Sequence, residues 1–296
     1  IILDNLVTGY KRLINKKAIF IKGDIKNKAK LANIIYDFKI DSIIHLAAYL
    51  NINEAEKNKK KYYENNIKGT LNLVHACKKS TVRNFIFSSS CSIYGNVKGS
   101  VNENNKPTPV GYYAYTKYKS EEIIKKFAPK YNYQYGILRY FNVAGASSSG
   151  KIGEINKSHG HLIKNLAIQT TKKNPLISIY GNDYNTKDGT GVRDYIHVED
   201  IAIAHVNSLN LLKKNIKHET INLGTGIGFS VLEILTEFKK ILKKPIPFKF
   251  KPRRNGDIAT LIADNKKAKL MLEWDIKNDL NQICKDTVRW INNYSQ

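Results

Sequence analysis

A serine, a tyrosine and a lysine stand at spacings that suit proton transfer. Tyr113 and Lys117 are four residues apart, so a helix would place them on one face. A nearby ammonium group favours the phenolate and lowers a tyrosine pKa that starts at about 10. Ser90 ends an apolar run and can hydrogen-bond either a substrate hydroxyl or the phenol oxygen. These three residues predict a proton-transfer unit beside a hydride acceptor.

The spacing of Tyr113 and Lys117 is also typical of a solvated helix face, so its sequence context decides the interpretation. Residues 88–95 read Ser-Ser-Ser-Cys-Ser-Ile-Tyr-Gly and directly follow the apolar run Phe85–Phe87. A polar serine cluster at a strand end, ahead of the Tyr–Lys helix, favours the catalytic interpretation. Cys91 lies next to the serine and is interpreted as a packing residue rather than a nucleophile.

Strands and helices must alternate to bring these residues together. The alternation of short apolar runs with amphipathic stretches predicts right-handed crossovers and a doubly wound parallel sheet in an α/β protein. The predicted strands are Ile1–Leu3, Ala18–Ile21, Ser42–Leu46, Asn84–Phe87 and Gln134–Leu138, and the predicted helices include Lys28–Phe38, Lys61–Lys79 and Tyr115–Ala128.

The pattern of predicted elements changes after Asn142, where the predicted loops are longer and glycine-rich turns appear. We therefore expect a cofactor domain over residues 1–142. Residues 143–296 are expected to form mainly a small C-terminal α/β substrate lobe, with some segments returning to the main sheet.

Composition narrows the class of protein. The 296 residues are 42% hydrophobic with a mean hydropathy of −0.41, and no apolar run is long enough for a membrane span. The net charge of +24 comes almost entirely from dispersed lysine, without an arginine-rich or aromatic-interleaved patch. We therefore expect neither a membrane nor a nucleic-acid partner. Three scattered cysteines predict reduced thiols in a cytoplasmic protein.

The first strand ends in Asp4, where dinucleotide-binding folds place an acid that binds the adenosine ribose. That acid normally follows a glycine-rich turn by about 20 residues, and nothing before Asp4 supplies such a turn. Gly224–Gly228 has the wrong spacing and is interpreted as a strand-to-helix turn. We therefore expect the first strand and phosphate-binding turn to lie upstream, and this chain as given to bind the dinucleotide weakly. A purely local capping role for Asp4 is the alternative.

Several segments together resemble the 4-epimerase branch of the extended short-chain dehydrogenase/reductase family. The Ser90, Tyr113 and Lys117 set matches the family's catalytic residues. Residues 139–146 are similar to its Arg-Tyr-Phe-Asn-x-x-Gly-Ala segment, and residues 180–198 are similar to the signature of the branch. The similarity covers the whole chain and extends to 253–257, Arg-Arg-x-Gly-Asp. It implies a Rossmann-like fold that lacks its first strand here.

The resemblance implies NAD as cofactor, a UDP-sugar as substrate and no metal. The residues expected at the cofactor follow the predicted strand ends or lie on the helices: Asp4, Asn5, Thr8, Gly9, Asp24, Ile25, Leu46, Ala47, Ala48, Asn66, Tyr113, Lys117 and Tyr140. The residues expected at the UDP-sugar are Ser90, Tyr113, Phe141, Asn142, His161, Leu162, Tyr180, Arg193, Arg254, Asp257 and Leu261.

Within that set, the arginines Arg193 and Arg254 suit a diphosphate, because a guanidinium group binds it bidentately. The resemblance places Asp257 at the uridine ribose and Tyr180 at the uracil, although the arginine pair at 253–254 also fits a solvated surface. His197 is expected to be structural. Leu261 falls where relatives carry a side chain that gates the sugar pocket, and Leu50 replaces a polar residue near the cofactor.

The implied reaction interconverts UDP-glucose and UDP-galactose by transient oxidation at C4. Another UDP-sugar 4-epimerase and a non-catalytic relative remain open alternatives. Dehydratases and decarboxylases of this fold carry an acid after the serine, where this chain has Cys91 and Ser92. Relatives pair through two helices, which implies a homodimer through Lys61–Lys79 and Tyr115–Ala128.

Overall fold

The computed structural model describes residues 1–97, 99–155, 161–214, 218–254 and 257–294, so the predicted motif residue Gly256 lies outside the described residues. The strands are β1 (Ile2–Asp4), β2 (Phe20–Lys22), β3 (Ser42–His45), β4 (Asn84–Ser90), β5 (Gly99–Val101), β6 (Gln134–Tyr140), β7 (Asn142–Ala144), β8 (Ile177–Tyr180), β9 (Val192–His197), β10 (Glu219–Leu223), β11 (Gly228–Ser230), β12 (Phe248–Lys251) and β13 (Thr260–Ala263). The α-helices are α1 (Lys28–Asp37), α2 (Ile52–Lys57), α3 (Lys59–Tyr62), α4 (Gly69–Ala76), α5 (Tyr112–Tyr131), α6 (Leu162–Thr170), α7 (Val198–Lys213), α8 (Val231–Leu242), α9 (Lys266–Leu272) and α10 (Leu280–Tyr294).

Contacts along the chain define two compact units. Unit 1 comprises Ile1–Gly95, Pro107–Arg139 and Ser208–Ile221, and unit 2 comprises Asn96–Lys106, Tyr140–Asn207 and Asn222–Gln296. The chain therefore leaves unit 1 well before residue 142 and returns to it after residue 207. The sequence-based division at 142 stays a prediction about domains, whereas the contacts interleave the two units along the chain.

Unit 1 is built on parallel strands covered by helices, as the alternating pattern predicts. β3 pairs with β4 in parallel and belongs to a four-stranded sheet of order β10-β6-β4-β3. β1 and β2 form a separate parallel pair. Among the described residues no strand pairs with both β1 and β3, so the sheet is divided at that point.

The core of unit 1 lies where α1, α4 and α5 pack on the sheet. Asn27 begins α1, because its side-chain oxygen accepts a hydrogen bond from the Lys30 N–H at 3.0 Å. Leu31 and Ile35 follow on the buried face of that helix. The core consists mainly of aliphatic and aromatic side chains, among them Ile25, Leu73, Val74, Phe85, Phe87, Ile124, Tyr133 and Ile137.

The predicted helix Lys61–Lys79 is interrupted in the structure. A π-helical segment, Tyr63–Lys68, joins α3 to α4, and the helix ends at Ala76 rather than Lys79. The π segment buries Asn65 and Asn66. It therefore turns polar side chains toward the interior, which π-helical turns often do at functional sites.

The helix that carries Tyr113 and Lys117 starts earlier than predicted. Gly111, with φ 86°, precedes α5, and the Tyr112 N–H donates a hydrogen bond to the Glu56 carboxylate. This tertiary contact satisfies one of the N–H groups that a helix start leaves unpaired. As a result Tyr113 lies in the first turn of α5.

Unit 2 contains a sheet of order β11-β9-β13-β5, with β7 paired to β9, and a parallel pair of β8 and β12. The predicted turn at 224–228 does lead toward a helix, but the short strand β11 comes first. Ser230 then begins α8 with a reciprocal capping arrangement with Glu233.

The fully buried Asp194 of β9 organises that turn. Its carboxylate accepts hydrogen bonds from the backbone N–H groups of Thr225, Gly226 and Ala263 at 2.8–3.1 Å. Gly224 must be glycine, because a Cβ there would lie 2.6 Å from the carboxylate. The acid therefore fixes the turn to β9 and β13.

Candidate active site

The structure brings the predicted Ser–Tyr–Lys set together in unit 1. Ser90 ends β4, while Tyr113 and Lys117 lie on one face of α5. The Ser90 hydroxyl is hydrogen-bonded to the Tyr113 side chain. Its oxygen also accepts from the Ser92 N–H at 3.2 Å, which fixes the serine at the strand end.

Burial dominates the electrostatics of the tyrosine. It raises the pKa of Tyr113 to about 12, although the hydrogen bond from Ser90 lowers it. In the chain alone, the phenol therefore keeps its proton at neutral pH. The proposed chemistry requires additional positive charge beside the phenol before a phenolate can form.

Lys117 is buried with its ammonium group against the sheet. It is 2% exposed, its Nζ donates to the Ser88 carbonyl at 2.8 Å, and the same atom lies 5.1 Å from the Phe87 ring centre. Burial lowers the pKa of Lys117 to about 8, and the negative charge of Glu121 opposes this shift. The ammonium thus remains the major form at neutral pH.

His45, at the end of β3, is the neighbouring buried imidazole. Burial and the charge of Lys117 lower its pKa to about 3, so the ring is neutral. Its Nε2 lies 2.9 Å from the Thr70 hydroxyl, which itself donates to the Asn66 carbonyl at 2.6 Å. Because that hydroxyl proton is already used, Nε2 carries the imidazole proton and donates it to Thr70.

A buried ion pair lies directly behind the catalytic set. The Glu121 carboxylate accepts two hydrogen bonds from the Arg139 guanidinium, at 3.0 and 2.8 Å, and one from the Ser89 hydroxyl at 2.5 Å. Arg139 also donates to the Tyr94 hydroxyl at 2.9 Å. Both charged side chains are almost wholly buried.

A cleft with about 430 Å³ of empty space opens at the carboxyl ends of β1 and β3. Parallel α/β sheets bind ligands at this edge. Residues predicted to contact NAD form most of its lining, and the cleft is lined by Leu3, Asp4, Asn5, Val7, Thr8, Gly23, Asp24, Ile25, Ala47, Ala48, Tyr49 and Asn65.

The polar groups of the cleft suit the adenosine end of a dinucleotide. The Asp4 carboxylate accepts from the Leu6 N–H at 2.6 Å, and a Cβ at Gly9 would lie 2.9 Å from it. The Asn5 amide donates to the Asp24 carboxylate at 3.0 Å, and this bond helps to lower the pKa of Asp24. A fixed carboxylate at a strand end matches the ribose diol of NAD.

Several predicted cofactor residues are not part of the cleft lining, among them Asn66, Leu46 and Tyr140. Asn66 uses its whole side chain internally, accepting from the Tyr49 and Asn65 N–H groups and donating to the Tyr49 carbonyl and the Thr116 hydroxyl. An amide has two donors and two acceptor sites, so Asn66 cannot bind a ligand without losing one of these bonds.

Leu46 is the second such residue. It is 60% exposed and follows β3, but it is not part of the cleft lining. Tyr140, the third, begins a stretch of unit 2 and is hydrogen-bonded through its hydroxyl to His205 Nε2. His205 donates its single ring proton, on Nδ1, to the Ile201 carbonyl at 2.8 Å, so Nε2 is an acceptor and Tyr140 is the donor in that pair.

Unit 2 groups several of the predicted substrate residues in pairs. The Arg254 guanidinium lies 4.1 Å from the ring centre of Tyr180, as a cation–π contact. An Arg193 nitrogen lies 3.9 Å from an Asp257 carboxylate oxygen. Arg253 instead pairs with Asp183, which leaves Arg254 as the arginine beside Tyr180.

The remaining predicted substrate residues lie in unit 2 as follows. Asn142 donates to the Asp194 carbonyl at 3.0 Å, and Phe141 before it is buried. Leu261, in β13, is buried, whereas His161 is exposed and Leu162 begins α6. A pocket of about 270 Å³ beside α6 is lined by Val143, Ala144, Gly145, Glu154, His161, Lys164, Thr287 and Trp290.

His197 is fully buried 3.3 Å from Asp286, which fits its predicted structural role.

Glu121 and His45 were not predicted as neighbours of Lys117. Glu121 follows Lys117 by one helical turn, and this spacing is the one sequence signal that would have indicated contact. Arg139 was noted only as part of a motif. Its pairing with Glu121 depends on the tertiary fold.

A parallel α/β unit with a Ser–Tyr–Lys set, whose lysine is buried, and an acid at a strand end defines a dinucleotide-dependent enzyme of the short-chain dehydrogenase type. The sequence profile of the NAD dependent epimerase/dehydratase family matches residues 1–224. The chain belongs to this family. In the described residues, no helix is both long and apolar enough to cross a membrane.

Curated relatives and solved structures agree with that assignment. The chain is 40% identical over 280 residues to the UDP-glucose 4-epimerase of Lactobacillus helveticus, spanning 94% of this chain and 85% of the relative. The corresponding enzyme of Bacillus subtilis is 37% identical over 300 residues, spanning 98% of this chain and 88% of the relative.

Among solved structures, the UDP-glucose-4-epimerase of Stenotrophomonas maltophila, with bound NAD and formylated UDP-arabinopyranose, superposes with a TM-score of 0.94 at 34% identity, covering 99% of this chain and 90% of that one. The Bifidobacterium longum enzyme in complex with NAD+ and UDP has a TM-score of 0.86 at 34% identity, covering 95% and 84%. The predicted α/β, Rossmann-like fold class is confirmed by these matches.

Proposed function

We propose that this chain interconverts UDP-glucose and UDP-galactose by NAD-dependent, transient oxidation at C4 of the sugar. The observation that carries the proposal is the hydrogen-bonded Ser90–Tyr113 pair with the buried ammonium of Lys117 on the same helix. The names of the curated relatives support the choice of substrate. The residues after Ser90 are Cys91 and Ser92, so no carboxylate is in place for an elimination.

In this mechanism, Ser90 orients the C4 hydroxyl and Tyr113, as a phenolate, accepts its proton. Lys117 stabilises the phenolate. Its hydrogen bond to the Ser88 carbonyl holds the ammonium group in position. NAD, when bound, would supply the hydride acceptor at C4. The 4-keto sugar would then turn about its diphosphate. The hydride would return to the other face of C4 while Tyr113 gives its proton back to the C4 oxygen, which inverts C4 and restores the phenolate.

Residues of the cleft in unit 1 would hold the cofactor. Asp4 would bind the adenosine ribose, while Asn5, Thr8, Asp24, Ile25, Ala47 and Ala48 would enclose the adenosine and its linkage. Gly9, next to the Asp4 carboxylate, would leave space for the ribose. Arg193 and Arg254 would bind the diphosphate of the substrate, because guanidinium groups bind phosphate oxygens bidentately. Tyr180 and Asp257 would bind the uracil and its ribose.

We propose further that the enzyme acts in the cytoplasm as a homodimer that pairs through the 61–79 and 115–128 helices. Tyr63 and Tyr115 are exposed on these helices, as large aromatic residues suited to an interface. Light scattering tests the assembly, with Tyr115→Asp as the disrupting variant. A monomeric parent chain would contradict the dimer.

The test of the proposed reaction supplies purified chain with UDP-galactose and NAD in excess, and a coupled UDP-glucose dehydrogenase assay detects the product. We expect the parent chain to form UDP-glucose. The Tyr113→Phe variant should form none at a measurable rate. A chain that retains NAD yet yields no UDP-glucose would exclude this activity.

A further inference from the structure

The proposed proton transfer needs Lys117 in its charged form, but its surroundings oppose that charge. The side chain is 2% exposed, and its ammonium group donates to the Ser88 carbonyl against the ring of Phe87. Burial of this kind disfavours an ammonium ion. A compensating negative charge must therefore lie within reach of Lys117.

The titratable groups beside Lys117 come from two elements, β3 and α5. His45 approaches from β3 and is neutral, so it contributes no charge. On α5 itself, Tyr113 precedes Lys117 by one turn and Glu121 follows by one turn. Among the described groups, Glu121 is the one whose charge raises the pKa of Lys117.

Contacts from two strands fix Glu121 in place. From β6, Arg139 binds both of its carboxylate oxygens, and from β4, Ser89 donates a hydroxyl hydrogen bond to it. Ser89 is the residue directly before the catalytic Ser90. Glu121 therefore joins the helix of Tyr113 and Lys117 to the strand of Ser90. The exposed end of the same cluster is Lys125, 3.6 Å from the Glu121 carboxylate.

We propose that Glu121 is a positioning residue for the reaction, which holds β4 against α5 so that Ser90 meets Tyr113 and which keeps Lys117 charged. The inference rests on the proposed function for its kinetic readout. Arg139 pairs with that carboxylate and carries the opposite charge, so its removal should act on Lys117 in the opposite direction. Removing either charge therefore changes the affinity of Lys117 for its proton in opposite directions.

The test compares pH profiles of kcat for the NAD-loaded enzyme. The rate falls at high pH as Lys117 loses its proton, and Glu121→Gln should shift this alkaline limb down by about one pH unit. Arg139→Gln should shift it upward. Ser89→Ala should lower kcat about tenfold through misplacement of Ser90 without moving the limb. Glu122→Gln is the matched control, since Glu122 is exposed at the surface, where it pairs with Lys119.

Glu121→Asp keeps the negative charge but has a shorter side chain. It should therefore keep the alkaline limb of the parent's pH profile while kcat falls. If Glu121→Gln does not fold, this variant tests the role of Glu121. Competitive acetylation of Lys117, read by mass spectrometry across pH, reports the same shifts without turnover. It tests the inference even if the parent shows no epimerisation, an outcome that would reject only the proposed function. Shifts of the same sign in Glu121→Gln and Arg139→Gln, or no shift in either, would overturn the inference.

Discussion

The Ser90 hydroxyl is hydrogen-bonded to the Tyr113 phenol, across the junction between the end of β4 and the first turn of α5. This bond lowers the pKa of the phenol, but burial raises it by more, to about 12. The serine alone therefore does not produce a phenolate. A nearby cation has to lower the pKa further, and Lys117, one turn along the same helix, is the proposed source of that charge.

Tyr113→Phe should abolish epimerisation while UDP-sugar affinity stays within about threefold, because only the group that exchanges the proton is removed. Calorimetric titration with UDP-glucose and the coupled assay measure the two quantities. Tyr115→Phe is the control, since Tyr115 is exposed on the same helix. A Tyr113→Phe enzyme that turns over within about tenfold of the parent would remove Tyr113 from the mechanism.

Lys117→Met should make the protein more stable at pH 7 and at least about a hundredfold slower. The pKa of Lys117 is about 8 in the folded chain, against 10.5 for an ordinary lysine. The unfolded chain thus binds more protons between these values, and the free energy of unfolding of the parent rises with pH across that window. Below pH 8 the full penalty of the buried charge applies, about 3 kcal/mol.

Denaturation of both proteins from pH 7 to pH 10.5 measures this difference. We expect the advantage of Lys117→Met to shrink as the pH rises through the window, because the parent no longer buries a charge. Lys60→Met, at an exposed position of α3, should show no such trend. A parent whose stability falls from pH 8 to pH 10 relative to Lys117→Met would contradict the assigned pKa.

Local patterns in the sequence were enough to place most of the elements of unit 1. The predicted strand Ser42–Leu46 is observed as Ser42–His45, and the helix Lys28–Phe38 as Lys28–Asp37. Apolar periodicity specifies such elements directly. The start of α5 was missed by three residues, because Glu56 lies far from Tyr112 in sequence and its contact is tertiary.

Residue types and spacing were enough to predict the proposed Ser–Tyr–Lys set, but not the contacts that support it. The Glu121–Arg139 pair spans a helix and a strand, and no periodicity links the two positions. The same holds for Asn66, whose amide is fully used only because the π-helical segment turns it toward Tyr49 and Thr116. Tertiary contacts of this kind can be identified only from the three-dimensional structure.

Asp194→Asn should destabilise the protein by about 3 kcal/mol without changing any proposed catalytic group. The carboxylate accepts three backbone N–H groups and the Thr225 hydroxyl, and an amide would direct its own N–H groups at those donors. Burial raises the pKa of Asp194, but the donors lower it. Thermal unfolding measures the loss, and Asp275→Asn, at an exposed position of unit 2, should leave the melting temperature unchanged. An unaltered melting temperature for Asp194→Asn would mean that the turn at Gly224 does not depend on the acid.

Leu261 is predicted to limit the space at C2 of the sugar. It is 6% exposed in β13, where its backbone pairs with Arg193 of β9 and Gly99 of β5. An acetamido group adds about four heavy atoms, and overpacking by such a group costs 1–3 kcal/mol, or about 5- to 150-fold in kcat/KM. We therefore expect UDP-glucose and UDP-galactose to be preferred over UDP-N-acetylhexosamines.

Leu261→Ser should raise kcat/KM for the acetamido sugars and leave the plain hexoses nearly unchanged, because it removes most of the side chain that limits C2. The buried position means that the variant also loses about 2–5 kcal/mol of stability, so the assays need a temperature well below its melting point. Ile262→Ala is the matched control, since successive side chains of a strand point to opposite faces. It should lose stability with no change in sugar preference. Equal kcat/KM values for both sugar pairs in the parent would show that Leu261 does not control access to the sugar pocket.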